Sequence, residues 1–242
     1  MPNLSLLNAA FSAIFAGLPS NDIHKLFEAS YAMAPQPALM APKSHDQSLD
    51  ILAEWMPCDK WTFLDSSGLD PQYDYDFTNV KDDGKKYMRG GHQYHRPYGW
   101  NRIALKVHGK YSGGDEWLGP NGIRTEEAPN EWAVSYHGTK AEHAVNIIKQ
   151  GLKTGPRERF GPGIYSSPSP KMVEEHYAQE FRYEGKVYKI AFQNRVNPDS
   201  VQIIPASATK AGAEYWISQE GDIRPYAVIL KLATVENDCN IF

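Results

Sequence analysis

Residues 131–177 read EWAVSYHGTKAEHAVNIIKQGLKTGPRERFGPGIYSSPSPKMVEEHY, and their pattern decides the fold expected for the rest of the chain. Trp132, Val134 and Tyr136 alternate with small residues, which is typical of a strand built from β-favouring side chains. His137 stands at the end of that strand, and Gly138 allows the backbone to turn sharply or to approach a ligand closely. The segment therefore begins with a strand that carries a histidine beside a glycine.

A helix is predicted directly after this strand. Thr139 is the predicted N-cap, with Glu142 as its capping-box partner three residues later. Apolar residues then recur at helical spacing as far as Ile148, and Gly151 is the expected C-terminal stop.

The second half of the segment repeats this arrangement. Residues 160–163 (FGPG) predict a loop, Ile164 and Tyr165 a short strand, and residues 172–181 a helix. Two strand ends, each with a glycine nearby, predict the floor of a cleft in which a flat ring fits between aromatic faces.

Composition limits the classes of function. The chain has 242 residues, 41% of them hydrophobic and 12% aromatic, which is enough for the core of one domain with an extension. The formal net charge of −4 predicts no basic surface for nucleic acid. No stretch approaches the roughly 18 to 20 apolar residues of a membrane-spanning helix, so no membrane partner is predicted.

The cysteines leave the compartment undecided. Cys58 and Cys239 are far apart and form no CxxC pair, so a disulfide is possible without being indicated. The apolar patch at residues 9–18 lacks a preceding positively charged region, which argues against a signal peptide. A cytoplasmic or nuclear location is therefore favoured slightly over secretion.

Short strands outnumber helices after the first third of the chain, which predicts an α+β fold. Residues 1–100 are predicted to form a helical and irregular extension packed on the core, and residues 101–242 the main domain. The helices are expected early, at residues 4–18, 22–33 and 46–55. Besides the strands of the central segment, strands are expected at residues 58–65, 102–107, 186–192, 201–204 and 225–232.

Three motifs in this order resemble the catalytic domain of the poly(ADP-ribose) polymerase family, whose transferases split NAD and carry a His–Tyr–Glu triad. The resemblance covers residues 131 to about 232. The motifs are Tyr136-His137-Gly138-Thr139 with Gln150-Gly151-Leu152 after the helix, FGPGIYS at 160–166 with Tyr177 twelve residues beyond Tyr165, and Glu214-Tyr215-Trp216-Ile217 followed by DIRPY at 222–226.

The resemblance implies an ADP-ribosyltransferase-like fold, in which two small packed antiparallel or mixed sheets surround an NAD cleft. It implies transfer of ADP-ribose from NAD, the co-substrate, to an acceptor, with no metal. A protein acceptor is expected, and a nucleic-acid acceptor remains open.

The resemblance also implies roles for individual residues. His137 would bind the adenosine-side ribose with Thr139 beside it, and the Gly138 backbone would hold the nicotinamide carboxamide. Tyr165 and Tyr177 would sandwich the nicotinamide ring. The implied catalytic residues are Glu214, His137 and Tyr165, with Glu214 on the nicotinamide ribose, and the pyrophosphate contact is Arg157 or Arg159.

Three departures from the family pattern qualify this expectation. The loop at residues 153–160 is short, which predicts a reduced lid over NAD. Glu174 stands where the family often has a small hydroxyl residue, which puts one carboxamide contact in doubt. Residues 193–213, where an acceptor loop would lie, are also few, so single ADP-ribose units are expected rather than long polymers.

Other site types are weaker matches. His92 and His95 have no two further ligands at zinc spacing, and the acidic residues at 70–83 lack the spacing and glycine of an EF-hand. Residues 161–163 lack the spacing of a phosphate-binding glycine loop.

Competing functions remain open. A catalytically weak relative that binds NAD, ADP-ribose or a protein in the same cleft is one alternative, and an NAD glycohydrolase is another. The other large class of NAD-cleaving toxins needs a Glu/Gln-x-Glu motif, which is absent because Gly212 stands two residues before Glu214.

Overall fold

The computed structural model describes residues 68–119, 127–155, 159–183 and 186–235. In these ranges the chain forms eleven strands, two short α-helices and four 3-10 helices. The strands are β1 Tyr75–Asp76, β2 Tyr87–Arg89, β3 His92–Tyr94, β4 Asn101–Ala104, β5 Ala133–Gly138, β6 Ile164–Ser166, β7 Glu180–Tyr183, β8 Lys186–Val196, β9 Gln202–Ile204, β10 Tyr215–Ser218 and β11 Ile223–Val235. The helices are α1 Ala144–Gln150 and α2 Pro170–His176, with 3-10 helices at Pro71–Tyr73, Glu116–Leu118, Ala141–His143 and Ala206–Ala208.

The main sheet has six antiparallel strands in the order β1-β4-β11-β8-β5, and β7 also pairs with β8. Strands β5 and β7 lie along the same edge of β8. Gly138 at the end of β5 is opposite Ala191, and Glu180 at the start of β7 is opposite Lys189. After β5 the chain therefore forms α1, β6 and α2, and then returns as β7 to the same edge of β8.

Both faces of the main sheet are covered. Val228 and Leu230 belong to one apolar cluster, whereas Ile229 between them belongs to another. Successive side chains of a strand point to opposite faces, so the continuous apolar run of β11 places core on both sides. Residues Ala227 to Leu230 are completely buried.

A smaller antiparallel sheet, in the order β6-β10-β9, packs against the end of β5. The Tyr136 nitrogen donates to the Ser167 oxygen (2.7 Å), and the Ser167 nitrogen donates back to the Tyr136 oxygen (3.0 Å). An apolar cluster that includes Ala133, Ile164 and Trp216 fills the space between the two sheets. This packing places the end of β6 beside the end of β5.

The α+β prediction is confirmed at this level, since the described residues form mostly antiparallel sheets with few helices. The strands expected around residues 134, 165, 190, 203 and 229 are present, several with longer bounds than predicted. The predicted helices at 4–18, 22–33 and 46–55 and the strand at 58–65 lie outside the described residues. Strand β1, within the predicted extension, pairs with β4 in the main sheet.

The helix predicted over residues 172–181 is wrong in its second half. Helix α2 ends at His176, where the Tyr177 and Ala178 nitrogens both donate to the Val173 oxygen. The chain then forms β7, because Phe181 pairs with β8 and stacks on Tyr188 with ring centroids 5.7 Å apart. Sheet pairing thus overrides the local helical pattern.

The capping box predicted at Thr139 is also wrong. Helix α1 is preceded by a 3-10 helix whose N-cap is Lys140, and no side chain caps it. The Thr139 hydroxyl donates to the Lys140 oxygen instead (3.3 Å). The predicted stop at Gly151 is confirmed, since Gly151 follows the last residue of α1 with a φ of 79°.

Candidate functional site

A cleft of about 670 Å³ opens where β5 and β6 end. Its floor contains His137 and Tyr165, and its walls come from the start of the α1 region, from α2 and from β10. The predicted residues that line it are His137, Gly138, Thr139, Arg159, Tyr165 and Tyr177. A volume of this size is in the usual range for small-molecule sites.

His137 and Tyr165 meet directly at the floor of the cleft. The His137 Nδ1 atom lies 2.7 Å from the Tyr165 backbone oxygen. A carbonyl oxygen can only accept, so Nδ1 carries the proton of a neutral ring and Nε2 is left as an acceptor. Burial lowers the pKa of His137, against the smaller raising by this hydrogen bond, so the ring is neutral at pH 7.

Gly138 is required by a close approach of two backbone segments. A Cβ atom at this position would lie 2.5 Å from the Ala178 nitrogen and closer still to the Tyr177 carbonyl carbon. The backbone that leaves α2 therefore packs directly on the end of β5. This contact sets the position of Tyr177 in the wall of the cleft.

The two predicted ring-binding tyrosines are held in different ways. The Tyr165 hydroxyl accepts from the Phe160 nitrogen (2.9 Å) and donates to the Gly161 oxygen (2.7 Å), which fixes the ring against its own loop. Tyr177 is 42% exposed, and its hydroxyl lies 2.8 Å from that of Tyr215. One ring is therefore anchored in the cleft and the other stands at its mouth.

Tyr215 is a lining residue that the sequence analysis did not assign to the site. It stands on β10 next to Glu214, and its ring centroid lies 6.2 Å from those of Tyr177 and Phe160. The motif gave no signal for it: adjacent strand residues project to opposite faces, so a Glu214 directed into the cleft would have placed Tyr215 outside it.

The rim of the cleft is cationic. Lys140, Lys153 and Arg159 line it together with His143 and His176. Lys153 pairs with Glu220 (2.8 Å) at the surface. Of the two arginines predicted at the pyrophosphate, Arg159 is in the cleft lining with its guanidinium 5.0 Å from the Phe160 ring centroid, and Arg157 lies outside the described residues.

Glu214 is close to the cleft in its backbone but not in its carboxylate. Its backbone oxygen accepts from the Ser167 hydroxyl (2.7 Å), next to the bridge between Ser167 and Tyr136. Its carboxylate accepts a hydrogen bond from the Trp216 indole and does not line the cavity that the described residues form. That carboxylate faces His95, whose pKa is lowered by burial while the Glu214 charge opposes the shift.

Hydrogen bonds that end on backbone oxygens nevertheless join the three predicted catalytic segments. His137 is bonded to Tyr165, Tyr136 is paired with Ser167, and Ser167 is bonded to Glu214. Tyr165 is also opposite Ile217 in the register of β6 and β10. The three segments therefore form one connected unit, and only the Glu214 side chain is directed away from the cleft.

Glu174, which departs from the family pattern, is occupied elsewhere. Its carboxylate pairs with Lys231 (2.7 Å), and its backbone oxygen accepts from Lys189 (3.2 Å). The small hydroxyl residues that do line the cleft are Thr139 and Ser166.

No protein-family model matches the chain, and no curated protein matches its sequence. Among the described residues, no three or more His, Cys, Asp or Glu side chains are grouped as a metal site would need. No helix in the described ranges is both long and apolar enough to cross a membrane.

Proposed function

We propose that the protein is an NAD-dependent ADP-ribosyltransferase that cleaves the nicotinamide–ribose bond and transfers single ADP-ribose units to an acceptor. The observation that carries the proposal is the contact between His137 and Tyr165 at the floor of a cleft with aromatic walls and a cationic rim. A dinucleotide has the matching parts, namely a flat ring, two riboses and a pyrophosphate. The fold proposed with it is that of an ADP-ribosyltransferase, with the cleft between the two sheets.

The described residues supply the contacts that NAD would need. The Nε2 atom of His137 would accept a hydrogen bond from a ribose hydroxyl, because the Tyr165 carbonyl holds the proton of the neutral ring on Nδ1. The rings of Tyr165 and Tyr177 would hold the nicotinamide, and Arg159 and Lys153 would face the pyrophosphate. Thr139 and the Gly138 backbone lie beside these positions.

The reaction breaks the C–N bond between ribose and nicotinamide, and the electron pair leaves with the nicotinamide ring. Positive charge then develops on the ribose, which a carboxylate at its hydroxyl stabilises. The acceptor atom forms the new bond to the ribose and loses its proton, for which Glu214 is the proposed base. This role requires the Glu214 carboxylate to turn from Trp216 toward the cleft, which breaks its hydrogen bond with the buried indole.

The hydrogen bond between Glu214 and Trp216 favours a second candidate function. With its carboxylate held by an indole outside the cleft, the protein would bind NAD or ADP-ribose without efficient transfer. The two candidates share the binding residues and differ in what Glu214 does.

Incubation with NAD labelled in its adenylate part tests both candidates. A transferase puts label on an acceptor and releases nicotinamide, a glycohydrolase gives free ADP-ribose, and a binding protein gives neither product. Glu214→Gln is expected to reduce turnover on the order of a hundredfold while NAD still binds. Glu175→Gln is the matched control, because Glu175 lies outside the cleft and pairs only with Lys171 in the described structure. Equal turnover in wild type and Glu214→Gln would refute the assigned catalytic role.

A further inference from the structure

A second cavity lies apart from the cleft, between the β1–β4 region and the ends of β8 and β11. Its volume is about 410 Å³, and none of its lining residues lines the cleft. Four arginines and two aspartates contribute to its walls: Arg89, Arg96, Arg102, Arg195, Asp70 and Asp74. We call it the arginine cavity.

Among the residues that line the cavity, four arginines stand beside two aspartates. Arg89 and Arg195 both face the buried Glu131, at 4.0 and 3.4 Å. Asp83 lies outside the lining, but its charge acts on Arg96, and it accepts from the Tyr87 hydroxyl to which Arg96 donates. Arg96 is 9% exposed, yet within the described residues it forms no ion pair and only one hydrogen bond, to the Tyr87 hydroxyl at 3.2 Å.

Aromatic rings hold these guanidinium groups in place. Arg96 stands 5.0 Å from the ring centroid of Tyr87 and 5.8 Å from that of Phe77. Arg102 stands 5.9 Å from both Tyr75 and Phe77. A guanidinium that lies over a ring is fixed by its face, so the N–H donors at its edge stay available for another partner.

Arg102 has such an unused donor. Its Nη2 atom donates to the Tyr73 oxygen (2.6 Å), and its buried Nε atom has no hydrogen-bond partner among the described residues, so a ligand oxygen reaches Nε only when the side chain shifts. A buried donor without a partner is costly, at about 1–3 kcal/mol, and such groups are rare in native structures. Arginine edges arranged in this way match the oxygens of a phosphate.

The size of the cavity indicates that the ligand is larger than phosphate itself. A volume of 410 Å³ equals that of about 14 water molecules at liquid density. The remaining walls include Tyr73, Tyr75 and Tyr226, whose rings suit a flat partner. Gln72 and His108 are exposed at the lining, which gives the cavity an opening to solvent.

We propose that the arginine cavity binds a phosphorylated ring compound the size of a nucleoside monophosphate. The phosphate is held by the edges of Arg96 and Arg102, and the ring lies against the tyrosine walls. This site is separate from the proposed NAD cleft and does not depend on NAD turnover.

Calorimetric titration of the full chain with AMP, adenosine and inorganic phosphate tests the proposal. AMP is expected to bind saturably at one site, and adenosine and phosphate each at least tenfold more weakly. Arg102→Gln is expected to weaken AMP binding at least tenfold. The matched control, Arg224→Gln, lines neither cavity and is expected to keep the wild-type affinity.

Several results would overturn the proposal. These are no saturable AMP binding, adenosine or phosphate binding as tightly as AMP, or AMP binding that is lost in His137→Ala but kept in Arg102→Gln. If Arg102→Gln does not fold, the wild-type protein can be tested instead. Phenylglyoxal reacts with guanidinium groups, and the rate of this modification is measured with and without AMP. AMP is expected to slow modification of Arg102 at least threefold and to leave Arg224 unaffected, and equal rates at Arg102 with and without AMP contradict the site.

Discussion

The cleft and the arginine cavity both combine cations with aromatic rings, but they do so in opposite ways. In the cleft the cations stand at the rim, as with Lys153 paired to Glu220 at the surface, and the anchored ring of Tyr165 is fixed through its hydroxyl. In the arginine cavity the cations are inside, and the rings fix them through their faces.

The two sites also differ in what makes them rigid. The cleft depends on contacts to the main chain, above all the approach of residues 177–178 to Gly138 and the bond from the His137 ring to the Tyr165 oxygen. The arginine cavity depends on side chains that are buried among one another. Substitutions that disturb the main chain should therefore affect the cleft most. Substitutions that change a charge, and changes of pH, should affect the arginine cavity most.

The largest effect is expected for Gly138→Ala. The new methyl group meets main-chain atoms of Tyr177 and Ala178, which cannot turn away as a flexible side chain would. We expect a loss of stability of about 3 kcal/mol, measured by urea unfolding, and loss of NAD binding in the cleft. Gly155→Ala is the control, because Gly155 also lines the cleft but a methyl group there meets nothing within 4 Å. Equal effects of the two substitutions would contradict the packing described.

The pH dependence of stability should separate the two regions. Burial lowers the pKa of His137 from 6.5, so its contribution to stability is present above pH 6.5 and is lost as the pH falls. Burial raises the pKa of Asp74 from 3.8 to about 6, so its contribution is present below pH 3.8 and is lost as the pH rises through 6. The two groups therefore act on stability with opposite signs.

Asp74→Asn tests this sign. Relative to wild type, the variant should gain about 1–2 kcal/mol in unfolding free energy between pH 4 and pH 8, after allowance for screening of a partly exposed group. Asp199→Asn, on an exposed turn, serves as the control and should show no such trend. Parallel pH profiles for wild type and Asp74→Asn would mean that Asp74 is not perturbed by burial.

The sequence was sufficient for the elements whose pattern is local. Alternation predicted β5, and the apolar run of residues 225–232 predicted β11, because these strands are buried on one or both faces along their length. It was not sufficient for the boundary between α2 and β7. Phe181 is drawn into a strand by Tyr188 and β8, partners that the local helical spacing does not show.

The same limit applies to the sites. The motif around His137 predicted a strand end facing a cleft, since strand, glycine and helix follow one another in the chain. The arginine cavity combines Arg96 and Arg102 with Arg195 and Tyr226, which are about a hundred residues further along the chain and meet only through sheet pairing. The Glu214 carboxylate points toward the Trp216 indole, and nothing in the motif predicts this rotamer of Glu214.

A smaller effect is expected for Tyr165→Phe. The ring stays in the floor of the cleft, but the hydroxyl no longer connects the Phe160 nitrogen and the Gly161 oxygen. Since a hydrogen bond contributes about 1 kcal/mol, NAD binding should weaken about fivefold, while Tyr165→Ala should weaken it further. Tyr98→Phe is the control, because the Tyr98 hydroxyl makes only a long contact to Asp82 (3.4 Å). If Tyr165→Phe binds NAD as wild type does, the hydroxyl does not position the ring.

The smallest effect is expected for Lys153→Ala, at the rim of the cleft. The pair of Lys153 with Glu220 is exposed, and exposed ion pairs contribute about 0–1 kcal/mol, so thermal unfolding should barely change. NAD binding should weaken a few fold, and less so at high salt, because exposed charges are screened. Lys171→Ala removes a more exposed pair outside the cleft and should leave NAD binding unchanged. AMP binding should be unaffected by both substitutions, because the arginine cavity does not use the cleft rim. A loss of AMP affinity in Lys153→Ala would mean that the two sites are one.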